Sequence, residues 1–558
     1  MDIQTAYLSI AFPFSEVGFM PHDLQALHGS TSALRIPTLI AALTLSAGLC
    51  TSTALAQDLN EEGWTVIEPS VDTRFVFVSS SDGSDFNSGL TPSRPVKTLE
   101  RAEEMVRDGH PDWILLKRGD TWNDGFGTWG WSGRSAEERV VISSYGDADE
   151  RPRIELHNNT FVKGRINDDV SHVAIIGLSI IGDRDPGDLS IGIRWLSLGE
   201  NLLIEDCYID GFKDNIVIQA SGGTYQNIWI RRNVIVDSWS TDGHSQGMYI
   251  KSGDGVVIEE NIFDHNGWDP TIAGADASTF DQNVYLQTDT YGVEFHGNLS
   301  AHAGAAGVQI RAGGNASYNL LYANPFGMRF GYDELEWPAQ AASGSIFRNV
   351  VLGGEISEPD RVTSGVGIWV ERVDGVQVRD NVVAHFVEGG MPRAFTLNGY
   401  AGDVLFKGNV AHDFVNDEGQ GYALKTSAEV QGSATFDGNR WFMPGTGRLI
   451  KLRYSDRMSF VGNDMSGFSN DDDVFQVDGS RIDYSEWVDQ GFVTNDTIDS
   501  SSEGSDEGPD LDDYANAIGF DDADAMIEAA RAMSRSNWDH RLTGRAAATW
   551  ITTQYLGE

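Results

Sequence analysis

An asparagine that recurs at the end of a short strand-like segment constrains the fold of this chain more than any other feature. Apolar and polar residues alternate before each one, as Val256 and Ile258 do ahead of Asn261, and this alternation is typical of a β-strand. Most neighbouring asparagines lie about 30 residues apart, a repeat length that indicates a stacked architecture. The recurring residues are Asn233, Asn261, Asn298, Asn319, Asn349, Asn381, Asn409, Asn439 and Asn463. No helical pattern lies between them, so the sequence predicts an all-β solenoid, a parallel β-helix, in which each repeat is one coil.

The recurring asparagine has a structural explanation. An Asn in a turn tolerates left-handed backbone geometry and can hydrogen-bond nearby backbone groups. Stacked coils would place these side chains one above another, so each could also hydrogen-bond the Asn of the next coil. We therefore predict an asparagine ladder that supports the fold and takes no part in chemistry.

Composition limits the partners of the chain. Its 558 residues include 83 acidic residues and 39 Lys or Arg, which gives a net charge of −44. Nonspecific nucleic-acid binding needs positive charge to displace counterions, so we expect no DNA or RNA partner. A local cationic site for an acidic polymer is compatible with this charge. We also expect a monomer.

The N-terminal region predicts export from a bacterial cell. Arg35 precedes the apolar run 36–49, and Ala54 and Ala56 form an A-x-A cleavage signal. We interpret residues 1–56 as a signal peptide with an upstream extension, since translation could also begin at Met20. A secreted or periplasmic location follows. No later segment is apolar enough to predict a membrane span, and cleavage would leave Cys207 without an internal disulfide partner.

Pattern changes along the chain predict four further segments. Residues 57–139 read as a leader and a helix-containing cap, with Thr98 as the N-cap of the helix. Residues 140–494 carry the coils. Residues 495–513 are acidic and poor in large apolar residues, so they predict a linker. Residues 514–558 predict a short C-terminal helical segment.

A second regular pattern lies in the strand before each Asn-terminated strand. In Gly247–Lys251 and its equivalents the second and fourth residues are apolar, so the third and fifth point outward. The third positions are Tyr249, Tyr285, Gln309, Arg329, Trp369 and Thr396, and the fifth positions are Lys251, Gln287, Arg311, Gly331, Glu371 and Asn398. Aromatic faces beside long polar groups on successive coils predict a groove for a linear polysaccharide.

Histidines and long inserts point to the same region. His244 precedes Tyr249 by a few residues, and His265 follows the next coil strand. Residues 268–282 and 333–344 enlarge two coils, and such excursions from a regular scaffold commonly form the walls of a binding site.

The order of elements resembles a known superfamily. Strand Phe75–Ser79, a Gly/Ser/Asp loop, the helix after Thr98, and strand Trp113–Lys117 followed by Gly-Asp are similar to the cap of pectate-lyase-like proteins. With the coil repeat, residues 75–493 resemble the right-handed parallel β-helix superfamily, which contains pectate lyases, alginate lyases, chondroitinase B, polygalacturonases and alginate epimerases. The resemblance implies a right-handed coil and activity on polysaccharides.

One branch of that superfamily implies roles for two residues. In alginate lyases and chondroitinase B a Lys acts as base beside an Arg, and calcium neutralises the uronate carboxylate. Lys251 and Arg311 have these residue types, but Gln287 lies between them, whereas that branch places the pair on neighbouring coils. Calcium is the cofactor that the resemblance implies, although no ligand set for it is evident in the sequence.

The first functional hypothesis is a polysaccharide lyase that acts by β-elimination on a uronate-containing polymer. Elimination needs a base for the C5 proton and a cation for the developing charge. Lys251, or alternatively His244 or Tyr249, would be the base, and Arg311 with Arg329 would hold the carboxylate. The substrate would also contact Tyr285, Gln287, Gln309, Trp369, Glu371 and His265.

Two alternatives use the same scaffold. A glycoside hydrolase needs two carboxylates, and Glu371 faces the groove with acidic residues in nearby turns. Those turn residues are Asp242, Asp254, Asp289 and Asp333. A non-catalytic carbohydrate-binding or adhesin solenoid would need the aromatic residues without the cluster of Lys, Arg, His and Tyr.

Overall fold

The computed structural model describes residues 58–185, 190–334, 337–354, 365–386, 391–416, 418–444, 448–468, 473–499 and 508–557. The predicted signal peptide lies outside these residues, as do residues 500–507 of the predicted linker.

Each regular coil contributes three short strands, which we call the first, second and third rows in chain order. The first row comprises Gly127–Trp129, Val162–Gly164, Ile191–Trp195, Asp214–Gln219, Gln246–Lys251, Gln282–Leu286, Ala306–Ile310, Phe326–Gly331, the start of Val366–Arg379, Arg393–Ala401, Tyr422–Thr426, Ile450–Leu452 and Phe475–Val477. The second comprises Phe75–Val78, Trp113–Lys117, Val140–Tyr145, Val173–Ile176, Gly199–Glu205, Tyr225–Arg231, Gly253–Glu259, Tyr291–His296, Gly313–Ser317, Ala342–Phe347, the end of Val366–Arg379, Val404–Lys407, Ala434–Asp437, Met458–Val461 and Val493–Thr494. The third comprises Thr121–Trp122, Arg153–Leu156, Ser179–Gly182, Tyr208–Asp210, Val234–Val236, Ile262–Asp264, Leu299–Ala301, Leu320–Tyr322, Val350–Leu352, Val382–Ala384, Val410–His412, Arg440–Phe442, Asp464–Ser466 and Thr497–Asp499.

Neighbouring coils pair their strands in parallel, as the predicted fold class requires. Ser480–Ile482 pairs antiparallel with Phe475–Val477, and the short strand Glu429–Val430 pairs with the end of Arg393–Ala401. Apolar side chains that alternate along the strands fill the interior, among them Ile258, Phe295 and Val378, which are fully buried. The apolar residues that alternate in the sequence therefore form one continuous core.

The predicted asparagine ladder is confirmed. The Nδ2 of Asn349 donates to the Oδ1 of Asn381 at 3.0 Å, and the Nδ2 of Asn381 donates to the Oδ1 of Asn409 at 2.9 Å. The same pattern runs from Asn233 to Asn463, whose Nδ2 donates to the Oδ1 of Asp496 at 3.0 Å. An aspartate at the end of the ladder was not foreseen from the sequence.

The helices cover an end and a side of the solenoid. Helix α1 (Leu99–Glu103) lies in the cap, and the hydroxyl of Thr98 accepts from the backbone of Arg101, so the predicted N-cap is confirmed. Helices α2 (Tyr484–Val488), α3 (Leu511–Ile518), α4 (Ala523–Arg531) and α5 (Gly544–Leu556) follow, with a 3₁₀ turn at His540–Leu542. Apolar residues of α3–α5 form one cluster with apolar residues of the third row, so these helices dock along its side. Within the described residues, no helix is long and apolar enough to cross a membrane.

Three observed boundaries differ from the predicted ones. Parallel strands begin at Phe75 and not near residue 140, and the third row continues to Asp499, beyond 494. Helix α3 begins at Leu511, inside the predicted linker, because Asp510 and Asp513 form a capping box at its start. The strands at Phe75 and Trp113 were predicted, but as parts of the cap and not as parts of the coil stack.

An ion-pair cluster links α4 to the third row. Removing the cation of this cluster is expected to destabilise the packing of the C-terminal helices. Arg531 pairs with Asp237 at 2.6 Å and also with Asp264, whose side chain is almost fully buried. Arg531→Met leaves both carboxylates without this cation, so we expect a stability loss of about 3 kcal/mol in thermal unfolding. Arg541→Met is the control, since Arg541 is exposed and pairs with Asp539 close by in the chain. Equal losses in the two variants would contradict this role.

Candidate functional site

The first row carries one continuous column of outward-pointing residues, as the comparison of equivalent strand positions within the sequence predicted. Tyr249 pairs in register with Tyr285, Tyr285 with Gln309, and Gln309 with Arg329. The register then continues through Trp369, Thr396, Lys425 and Lys451. We call these eight residues the outward column. Neighbouring strands lie about 4.8 Å apart, so the column is a strip along which a linear polymer can lie.

Arg311 is held firmly at the edge of this column. Its guanidinium lies between two aromatic rings, 4.6 Å from the ring centre of Tyr285 and 3.8 Å from that of Tyr332. Its Nη1 donates to the Oε1 of Gln287 at 2.9 Å. The intervening Gln287 therefore binds Arg311 directly, and the two tyrosine faces fix the plane of the cation.

Glu371 and Arg329 form the central polar contact. The Nη2 of Arg329 donates to the Oε1 of Glu371 at 3.1 Å, and its guanidinium lies 5.3 Å from the ring centre of Trp369. Glu371 is only 2% exposed. Burial raises the pKa of the Glu371 carboxyl above its usual range, against the attraction of Arg329, and the charge of Asp333 acts in the same direction as burial.

Asp333 lies near Glu371 on a wall of aromatic and charged side chains. Its side chain is 57% exposed, and Arg372 pairs with it at 3.5 Å. The guanidinium of Arg372 lies 4.9 Å from the ring centre of Tyr400, on which Trp337 stacks at 6.1 Å. Asp333 and Trp337 belong to the enlarged coil 333–344, so that insert does stand beside the column.

Buried polar atoms without a hydrogen-bond partner accumulate along the column. In the part of the chain that the structure describes, the unpartnered atoms include Gln309 Nε2, Trp369 Nε1 and Thr396 Oγ1. The Nε atoms of Arg311 and Arg329 are also unpartnered. Buried polar groups are normally hydrogen-bonded, and such a series on successive coils indicates donors kept for a ligand.

Seven of the predicted site residues thus form one network, and four do not. The network comprises Tyr285, Gln287, Gln309, Arg311, Arg329, Trp369 and Glu371. Tyr249 adjoins it, with its ring edge-on to Tyr285 at 5.2 Å. Lys251 is half-buried at the end of its strand, where it pairs in register with Gln219, and among the described residues it makes no hydrogen bond or ion pair.

The two predicted histidines lie outside the network. His244 is exposed and stacks on Phe280 at 4.6 Å, beside the first enlarged coil. His265 follows the third-row strand Ile262–Asp264, where it contacts Asp237 at 3.4 Å and the ring of Trp268. His265 was predicted to line the groove, but it follows a third-row strand and therefore lies on a different side of the coil from the first row.

The sequence alignment missed residues at both ends of the site. Tyr332 and Trp337 lie in loops, and Tyr400 lies near the end of the strand Arg393–Ala401, so all three are outside the strand positions that were compared. Lys425 and Lys451 continue the outward column, but the alignment ended at Asn398. The segment YALKT, with Ala423 before the strand's inward Leu424, has the same pattern and could have revealed Lys425.

A family model matches part of the coil region. The model of the right handed beta helix region matches residues 169–333, which include the strands of Tyr249, Tyr285, Gln309 and Arg329. This chain is a right-handed parallel β-helix protein. The predicted fold class, an all-β right-handed parallel β-helix, is thereby confirmed.

Individual relatives of this β-helix protein are distant. A segment of 126 residues is 32% identical to a lacto-N-biosidase of Bifidobacterium longum subsp. longum, which corresponds to 22% of this chain and 8% of that protein. XylC in complex with xylose is 10% identical, covering 77% of this chain and 88% of its own, with a TM-score of 0.38. The alginate lyase of Paenibacillus sp. str. FPU-7 is 14% identical, covering 64% and 95%, with a TM-score of 0.33. At these levels the structural likenesses decide no reaction.

The predicted calcium requirement stays a prediction. Among the described residues, one group of His and acidic side chains is close enough to hold a metal ion, namely His157, Asp183 and Asp185. These residues are exposed and follow third-row strands, so they do not belong to the outward column.

Proposed function

We propose that this β-helix protein is a glycoside hydrolase that cleaves a glycan bound along the outward column, with Glu371 as the proton donor. The observation that carries the proposal is a buried carboxyl whose pKa is raised, set in a series of unpartnered polar groups. A carboxyl whose pKa is raised holds its proton to a higher pH than an ordinary glutamate and can give that proton to a leaving oxygen. The local match to a lacto-N-biosidase is in keeping with a glycan substrate.

The reaction needs a second carboxylate, and Asp333 is the candidate. Glu371 donates its proton to the glycosidic oxygen as the bond from that oxygen to the anomeric carbon breaks. Asp333 either attacks the anomeric carbon or takes a proton from the water that attacks it, depending on the separation of the two carboxyls when substrate is bound. Its exposure gives it access to sugar and water.

Arg329 controls the protonation state of Glu371 in this mechanism. The Arg329 guanidinium stabilises the ionised carboxylate and covers it. A substrate oxygen that takes over the hydrogen bond of Arg329 would uncover Glu371 and raise its pKa further. Protonation would then coincide with binding, which favours proton transfer to the bound glycan and not to solvent.

Aromatic faces supply the binding surface. Tyr285 and Trp369 lie on the outward column, and Trp337 and Tyr400 stand beside it. Flat rings suit the apolar faces of sugars, while the unpartnered donors suit their hydroxyl groups. A glycan substrate also agrees with export, which the sequence of residues 1–56 predicts.

β-Elimination remains the alternative, but the predicted residues are less well placed for it. Lys251 and Arg311 lie two coils apart, with Gln287 bound to Arg311 between them. Burial raises the pKa of both Tyr249 and Tyr285, so neither phenol readily ionises to act as base.

Product analysis in ¹⁸O-labelled water tests hydrolysis directly. The mature protein would be incubated with neutral and uronate-containing glycans, with and without calcium. We expect new reducing ends that carry ¹⁸O, since hydrolysis adds water across the broken bond. Unsaturated uronate ends without the label would overturn hydrolysis in favour of elimination. A lack of cleavage together with retained binding would favour the carbohydrate-binding solenoid.

A further inference from the structure

We propose that Arg393, Lys425, Arg448 and Lys451 form a binding subsite for an anionic group of the glycan, a carboxylate or a sulfate ester. We call these four residues the basic patch. That the ligand is a glycan rests on the proposed function, whereas anion binding follows from the patch itself. The substrate is accordingly an acidic glycan.

The patch lies on the same face as the candidate site. Thr396 pairs in register with Lys425, and Lys425 with Lys451, so both lysines belong to the outward column. The Arg393 guanidinium lies 5.7 Å from the ring centre of Trp369, on which Arg329 also lies. Trp369 therefore connects the patch to the Arg329–Glu371 pair.

Tyr422 holds the patch together. The Nη1 of Arg448 donates to the Tyr422 hydroxyl at 2.9 Å, and the Nζ of Lys451 lies 6.0 Å from the Tyr422 ring centre. Arg393 pairs in register with Tyr422. The four cationic side chains thus come from three successive coils, with Tyr422 on the middle one.

Three of the four cations, Lys425, Arg448 and Lys451, lie apart from the carboxylates of the described residues. Among the described residues, no carboxylate contacts Lys425, Arg448 or Lys451. The chain has more than twice as many acidic as basic residues, so carboxylates are abundant elsewhere. Burial, together with the charges of Arg393 and Lys451, lowers the pKa of Lys425 to about 8. Like charges held together in this way gain stability when an anion binds between them.

The position of the patch fits an extended ligand. Trp369 and Lys425 lie two coils apart, which corresponds to about 10 Å along the solenoid. A linear glycan can span that distance, with one sugar near Glu371 and a charged sugar further along the column.

The affinity for an anion should depend on pH. Lys425 is charged below its pKa, so binding is strongest below pH about 8 and weakens as pH rises through that value. The charges that act on Lys425 are Arg393 from the preceding coil and Lys451 from the following coil. Tyr422 lies on the same strand, and Arg448 donates to its hydroxyl. The arginines stay charged, so part of the affinity remains at high pH.

Titration calorimetry on full-length mature protein carrying Glu371→Gln tests the subsite without turnover. The probes are oligogalacturonate, oligoalginate, a carboxyl-reduced neutral form of each, and a sulfated oligocarrageenan. We expect at least one acidic probe to bind about tenfold or more tightly than neutral probes, and Lys425→Met to lower that affinity about tenfold. Binding of the uronates or of the carrageenan identifies the anionic group as carboxylate or sulfate ester.

Lys163→Met is the matched control, because Lys163 is a half-buried lysine of the same row in an earlier coil. Failure of every acidic probe to bind, equal affinity for acidic and neutral forms, or an equal loss with Lys163→Met overturns the subsite. Lys451→Met with unchanged thermal unfolding provides a second variant if Lys425→Met does not fold. The proposed function fails separately, if a Glu371→Gln protein still cleaves a glycan at the wild-type rate.

Discussion

Glu371→Gln is expected to lower kcat for glycan cleavage about 10²–10⁴-fold, the usual contribution of a general acid. The amide can still accept the hydrogen bond from Arg329, but it has no proton to give to a leaving oxygen. Binding should change little, so the loss should appear in kcat more than in KM. Initial rates with the glycan found in the product screen measure both constants.

Substrates with different leaving groups distinguish a catalytic role of Glu371 from a structural one. An aryl glycoside with an acidic phenol needs little protonation, so it should recover most of the activity that Glu371→Gln loses on the natural glycan. A structural defect would impair both substrates equally. Glu294→Gln is the control, since Glu294 is a second-row glutamate that hydrogen-bonds Asn315. A small, substrate-independent loss with Glu371→Gln would exclude Glu371 as the acid.

The same assignment fixes the sign of one pH effect. Glu371 must be protonated to act, so activity falls as pH rises through its pKa. Burial raises that pKa, and the high-pH limb should therefore lie above the range of an ordinary glutamate. Glu371→Gln should remove this limb from any residual activity.

The fold was accessible from the sequence because two local patterns repeat. Alternation around Val256 and Ile258 assigned inward and outward sides, and the recurring Asn set the period of the coils. The register of Tyr249, Tyr285, Gln309, Arg329 and Trp369 followed from these two patterns alone. The strands of the first coils were predicted but assigned to the cap, because loops and the helix after Thr98 interrupt the repeat there.

The site was less accessible because its chemistry depends on distances between turns. Lys251 has the residue type of a base. Residue type alone cannot show whether its side chain reaches Arg311 or Glu371. The contact between Asp333 and Arg372, and the wall of Trp337 and Tyr400, depend on the path of an irregular insert. Burial decides the pKa of Glu371 and Lys425, and burial on an outward strand face depends on neighbouring coils.

Asn381→Ala is expected to lower the free energy of unfolding by about 2–5 kcal/mol, the largest stability effect that we predict for a single side chain. The Oδ1 of Asn381 accepts from the backbone N–H and the Nδ2 of Asn349, and its own Nδ2 donates to Asn409 and to the carbonyl of Ile346. Alanine removes all four hydrogen bonds in a fully buried turn. Each buried group left without a partner costs about 1–3 kcal/mol.

The position of Asn381 in the ladder makes the effect cooperative. Its neighbours above and below belong to different coils, so the lost bonds connect three successive coils. Thermal unfolding monitored by circular dichroism should show a lower midpoint, and hydrogen exchange should rise first at the backbone amide of Asn349, which donates to Asn381. Asn315→Ala is the control, because Asn315 is exposed and hydrogen-bonds Glu294 and Ser345 on the surface. If both variants unfolded at the wild-type temperature, the ladder would be a consequence of coil stacking and not one of its causes.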